Sequence, residues 1–114
     1  MHENSLTWNE FERVEMRVGT IVAVADFPEA HKPAYQLTID FGAGTGILKS
    51  SAQITKHYRK DELLQRQVVA VVNFPKKQIG KFMSECLVLG AVENDGGVVL
   101  LQPGLKVVNG LRIA

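Results

Sequence analysis

Apolar and polar positions change period once near the start of the chain, then keep the period of strands almost to its end. Leu6-Thr7-Trp8-Asn9-Glu10-Phe11 opens with helix-entry signals. Thr7 stands as N-cap with Glu10 three residues on, a capping box, and Leu6 and Phe11 are spaced as a hydrophobic staple. The pattern predicts a short helix over about 7–15, with Trp8, Phe11 and Val14 as an apolar stripe. From Met16 a long β-branched run, Arg17 to Phe27, predicts a first strand with a bulge or bend at Gly19. Phe27 to Pro33 reads as a loop, and the clean alternation of Tyr35 to Phe41 as a second strand. Gly42 to Gly46 forms a hairpin connection to a third strand, Ile47 to Ser51. Ile54 to Gln65 is polar and helix-tolerant, and Gln67 to Asn73 is the fourth and most apolar strand. Cys86 to Val92 and Val98 to Gln102 form a further pair across the turn sequence Glu93-Asn94-Asp95-Gly96-Gly97. The tail from Val107 to Ile113 is extended, with apolar residues at alternate positions.

The order is helix, three strands, short helix, then strands again. It predicts a mostly β fold: a five-stranded OB-fold barrel with a short N-terminal helix, a short helix between strands three and four, and a C-terminal β extension. An SH3-like barrel or a sandwich fits the pattern nearly as well. At 114 residues the chain has room for one core, so residues 1–114 read as a single domain. Its apolar runs are strand-length, which argues against membrane insertion. The residues around His2 lack the basic and apolar regions of a signal peptide, and the single cysteine, Cys86, permits no internal disulfide. These features predict a cytoplasmic protein.

Charge changes this picture through its distribution. The net charge is +1, but Lys49 to Lys81 holds eight basic residues against Asp61 and Glu62, a balance of +6 that leaves −5 for the rest. Such asymmetry is the footprint of a surface that meets an anion, nucleic acid included. Catalysis finds little support: Ser50, Ser51, His57 and Asp61 have no framing motif such as Gly-x-Ser-x-Gly. His2, His31 and His57 lie far apart and Cys86 has no partner at ligand spacing, so no metal site and no cofactor is expected. Leu48, not glycine, precedes Lys49-Ser50, so the glycine-rich stretch is not a phosphate loop.

The informative segment is Asn73 to Glu85. It carries Lys76, Lys77 and Lys81, a proline turn, and Phe74, Ile79, Phe82 and Met83. Lysines interleaved with aromatics suit nucleic acid, cations for phosphates and rings for unstacked bases. The same mixture suits an unfolded polypeptide, with adaptable methionine in an apolar groove. An ordinary solvated hairpin with Phe74 and Phe82 tucked beneath it is the plain alternative.

Several runs carry a family resemblance. Glu15-Met16-Arg17-Val18-Gly19-Thr20-Ile21 resembles the opening strand of the tRNA-binding domains found in free-standing dimers and at the C-terminus of many methionyl-tRNA synthetases. Phe27-Pro28-Glu29-Ala30-His31-Lys32-Pro33-Ala34-Tyr35 is similar to their His-Pro-x-Ala-x-x-Leu-Tyr element. Ser50 to Lys56, Val71-Val72-Asn73-Phe74-Pro75, Ser84 to Gly90 and Val99-Leu100-Leu101-Gln102-Pro103 resemble the CsaA-type, export-related chaperone branch of that superfamily. The resemblance implies an OB-fold homodimer, built by the helix and a C-terminal extension over about 104–114. Trp8, Phe11, Val14, Val107, Leu111 and Ile113 would lie in its interface. It also implies tRNA, recognised by shape, or unfolded and precursor polypeptides as partners. On the tRNA reading Lys49, Lys76, Lys77 and Lys81 meet phosphates, with Arg17 a weaker candidate. Ser50, Gln53, Asn73 and Ser84 line the site as hydrogen-bonding groups, and Phe74 or Phe82 stacks. On the polypeptide reading Phe74, Ile79, Phe82 and Met83 form the groove. Two departures stand out: Ser84-Glu85-Cys86-Leu87 replaces the dimers' Ser-x-Gly-Met, placing the negative charge of Glu85 beside the phosphate path, and the hairpin glycine falls one position early, at Gly80.

Overall fold

The computed structural model describes residues 4–114; residues 1–3, and His2 with them, lie outside the described residues. In chain order the elements are α1 (Trp8–Arg13), β1 (Met16–Asp26), β2 (Tyr35–Asp40), α2 (Gly42–Thr45), β3 (Ile47–Ala52), α3 (Lys60–Leu63), β4 (Gln67–Val71), β5 (Lys77–Ile79), β6 (Phe82–Ser84), β7 (Leu87–Val88), β8 (Gly90–Val92) and β9 (Val98–Leu100). Strands pair in the order β3-β2-β1-β4-β7, every neighbour antiparallel, with β5–β6 and β8–β9 as separate hairpins. The result is a nearly closed five-stranded barrel of OB type, with α3 between β3 and β4.

Strand β1 bends so that its first half pairs with β4 and its second half with β2. The register shift that bends it falls between Ile21 and Ala23, not at Gly19 as the sequence predicts. Gly19 serves close packing instead: a Cβ there would stand 2.6 Å from Ile39 and 2.7 Å from Phe41. Alternation along β2 turns Leu37, Ile39 and Phe41 inward, where they meet Ile21, Val68 and Ala70. Leu63 of α3 is fully buried in the same cluster, a placement that contributes about 2–3 kcal/mol.

Element ends differ from expectation where distant residues intervene. The capping box of Thr7 and Glu10 forms as predicted, but α1 stops at Arg13. Asn73 is the reason: its amide donates to the Arg13 carbonyl at 2.7 Å and accepts from the Glu15 N–H at 3.1 Å, turning the chain into β1. Asn73 itself lies beyond the end of β4. The predicted strand from Cys86 to Val92 breaks at Leu89, whose N–H bonds to Val69 and whose carbonyl accepts from Leu101. There the chain passes from the β4 ladder to the β9 ladder. Among the described residues no helix is long and apolar enough to cross a membrane.

The C-terminal tail closes the edge of β1 that β2 leaves free. The Val18 N–H donates to Leu111, the Gly110 N–H to Val18 and the Ile113 N–H to Met16, around a single bridge between Arg17 and Arg112. Gly110, at φ +91°, lies so close to Phe41 that a Cβ would meet its carbonyl oxygen at 2.5 Å. The Gln67 side chain bonds both polar groups of the Val107 backbone, and Asn109 accepts from the Thr20 hydroxyl at 2.6 Å.

Candidate ligand-binding seam

The open side of the barrel lies between β3 and the chain from β5 to β7. Here side chains close most of the gap that a full ladder would close. Ser84 Oγ accepts from the Ser51 N–H at 3.0 Å, and Glu85 Oε1 accepts from the Lys49 N–H at 3.0 Å. Among the described residues the one backbone bond across the gap is from the Glu85 N–H to the Lys49 carbonyl, 2.7 Å. Glu85 Oε2 then pairs with Lys76 at 3.3 Å. The β5–β6 hairpin turns at Gly80-Lys81 with Gly80 at φ +59°. A glycine at the first central position is what a type II′ turn needs, so the early glycine closes the hairpin without strain.

Beside this closure is an open cavity of about 260 Å³ lined by Phe74, Pro75, Lys77, Ser84, Cys86 and Leu87. Phe74 stands 54% exposed over it, and Leu87 is exposed on its other side. Leu87 is also a wall of a second groove, about 350 Å³, formed with Gln53, Ile54, Val92 and Val98 among others. The two share Leu87 as a wall, so the seam carries an apolar trough divided at Leu87. At its floor, burial pushes the Cys86 thiol up to about 12; the charge of Glu85 adds to the rise and a hydrogen bond with Ser50 opposes it. Cys86 is a packed, protonated floor residue rather than a reactive one.

The residues singled out in the sequence divide here. Lys49, Gln53, Phe74, Lys76, Lys77, Lys81, Met83, Ser84 and Glu85 lie along the seam or on its hairpin. Ser50 is fully buried and donates to the Ser51 carbonyl, so its side chain does not face the surface. Both polar groups of Asn73 are engaged by the α1–β1 junction. Phe82 turns inward onto Phe27, ring centroids 5.2 Å apart, and Ile79 is half-buried. Arg17 is held by Glu15 and by the Gly110 carbonyl at the tail. Leu87 and Val92 were not singled out. In sequence they sit in a run that reads as core, and only the alternation of buried Cys86 with exposed Leu87 marks the outward face.

Charge asymmetry along the chain is halved in space. Lys56 pairs with Asp95, Lys60 with Asp26 and Lys76 with Glu85, all acids from outside the basic segment. The bond to Lys56 holds Asp95 below its ordinary value, and the bond to Asp26 raises Lys60. Arg59 is paired with Asp61, and Arg66 lies 5.1 Å from the Tyr58 ring and bonds Gln102. Of the eight basic residues, Lys49, Arg66, Lys77 and Lys81 make no ion pair among the described residues, and the three lysines are exposed. His57 pairs with Glu93 and Asp61 with Arg59, so the hydrolytic candidates are not assembled into a relay.

Helix α1 buries none of its residues. Trp8 is 82% exposed, and the tail presents Leu105 at 81% and Val108 at 77%, with Leu111 exposed as well.

The tRNA binding domain family model matches residues 16–112. The chain is 53% identical to the CsaA chaperone protein of Picrophilus torridus, covering 96% of this chain and 100% of that one with a TM-score of 0.89. It is 46% identical to the chaperone CsaA of Bacillus anthracis str. Ames, covering 96% and 99% with a TM-score of 0.91. It is also 30% identical over 109 residues to the methionine–tRNA ligase of Bacteroides fragilis, 96% of this chain but 16% of that enzyme. The chain thus spans about a sixth of the length of that curated relative.

Proposed function

The chain belongs to the tRNA binding domain family, and from that premise we propose that it is a non-catalytic, homodimeric module that binds tRNA along the seam. The observation that carries this reading is Lys77 lining a cavity walled by Phe74, with Lys49 of β3 and Lys81 of the β5–β6 turn likewise exposed and without an ion pair among the described residues. Lysines without internal partners take phosphate contacts at the least desolvation cost, and an exposed ring offers a platform to an unstacked base. The Ser84 hydroxyl and the Gln53 amide supply hydrogen bonds at the rim. The inferred place of action is the cytoplasm.

Dimerisation supplies what the isolated chain lacks. Trp8 and Phe11 of α1 lie beside the tail end at Ala114 around a cavity of about 400 Å³. Exposed apolar side chains on a rigid frame mark a protein interface. In the dimer the interface takes Trp8, Phe11 and Val14 with Val107, Leu111 and Ile113, and Leu105 and Val108 join them. Each dimer then carries two seams.

A second reading, a chaperone for unfolded or export-destined polypeptides, is favoured by the apolar trough around Leu87 and Val92. Two structural neighbours are described as chaperones. Salt separates the readings. With about six phosphates met per dimer, the logarithmic slope of tRNA affinity against salt is about −4 to −5. Titrating labelled tRNA by fluorescence anisotropy at several salt concentrations measures it. A nearly flat dependence, or no binding at low salt, overturns the tRNA reading and leaves the polypeptide one.

A further inference from the structure

The ion pairs of this molecule are not alike, and one of them occupies the candidate site. In Lys60–Asp26, Arg59–Asp61 and Lys56–Asp95 both partners stand in solvent, where water and salt weaken the attraction. Glu85 is different: its side chain is 20% exposed beside a Lys76 that is 64% exposed. Its two oxygens are divided between a backbone N–H, that of Lys49, and an ammonium, that of Lys76. A backbone N–H and a lysine ammonium converging on one oxyanion are the donor set that also holds a phosphate. The carboxylate is fixed from behind as well, since the Glu85 N–H bonds the Lys49 carbonyl. Its charge is felt at the floor of the cavity, where it helps to raise the Cys86 thiol.

We propose that Glu85 is a specificity-determining residue, an internal anion seated where a ligand phosphate would sit, which neutralises the exposed Lys76 and occupies the Lys49 N–H that RNA would otherwise meet. The proposal rests on the tRNA reading of the seam. Lys76, conspicuous in the sequence as a phosphate ligand, is thereby silent in the wild-type protein. Lys49, Lys77 and Lys81 do the binding, and Glu85 repels any phosphate path that crosses β6 toward β3. RNA affinity is set low, and a ligand with fewer phosphates and more apolar surface is less penalised. Glu85 therefore fixes the balance between the two ligand classes that the trough accommodates.

The test is the salt dependence of tRNA binding for four single variants and one double variant of the full chain. Glu85→Gln keeps an oxygen to accept from the Lys49 N–H, so the seam stays closed, while the charge on Lys76 is released. It is expected to bind tRNA about fivefold more tightly at low salt, with a slope steeper by about one unit for each protomer engaged. Asp61→Asn, which removes an equal charge away from the seam, stays within about twofold of the wild type. Adding Lys76→Gln to Glu85→Gln abolishes the gain. In the otherwise wild-type protein, Lys76→Gln leaves the slope unchanged and Lys77→Gln lowers it by about one unit; this pair decides the matter even if Glu85→Gln folds poorly. Wild-type binding with Glu85→Gln no better than Asp61→Asn overturns the role of Glu85 and spares the tRNA reading. Equal slopes lost by Lys76→Gln and Lys77→Gln overturn it too. Absence of binding in both wild type and Glu85→Gln overturns both.

Discussion

Two edges of the barrel are closed by different chemistry, and the difference separates the face proposed for assembly from the face proposed for recognition. The β1 edge is closed by the C-terminal tail through backbone bonds at Met16 and Val18, with Gly110 pressed against Phe41. The β3 edge is closed mainly by side chains, Ser84 and Glu85 standing in for a ladder. Backbone closure leaves little to adjust: it holds Leu105, Val108 and Leu111 outward on a fixed frame, as an interface requires. Side-chain closure is adjustable one atom at a time. It leaves a trough between strands, and it sets ionisable groups at the mouth of that trough.

Breaking the backbone closure has the largest expected effect. Gly110→Ala forces a side chain into φ +91° and into contact with the Phe41 oxygen, at a cost of about 3 kcal/mol or more in urea unfolding. An unchanged midpoint would mean that the tail is not locked as described. Leu111→Asp addresses the surface that the lock presents. It is expected to weaken the proposed dimer about 100-fold, seen as monomer in light scattering at micromolar concentration, with the fold intact by circular dichroism. Ser84→Ala breaks one bond of the side-chain closure and leaves the Ser51 N–H unpaired. The cost is about 1 kcal/mol, with the oligomeric state untouched.

The contrast also explains what the sequence conveys. Local signals read true: the Thr7–Glu10 capping box forms, the alternation in Tyr35 to Asp40 makes β2, and the polar stretch before Gln67 holds the helix that plugs the barrel with Leu63. Readings that depend on partners far along the chain are hidden. Asn73 looks like a free polar residue at the mouth of a binding loop, yet its partners lie 58 and 60 residues earlier. The +6 segment loses two of its charges to Asp26 and Asp95, which no local window associates with it, and a third to Glu85 at the end of the binding loop. Phe82, for which the sequence leaves both an outward and a tucked ring open, is drawn in by Phe27 from the end of β1. Exposure of Leu87 depends on the seam being closed by side chains, a tertiary fact that alternation alone hints at.

The central claim, that ligand enters at the seam rather than at the tail end, is tested most directly by photo-crosslinking. Transfer RNA carrying 4-thiouridine is irradiated with the protein at low salt, and the labelled peptide is identified by mass spectrometry. Adducts are expected within residues 74–87, Phe74 and Lys77 first among them, lost at high salt and in Lys77→Gln. Labelling confined to residues 102–113, with the seam unmarked, would contradict it.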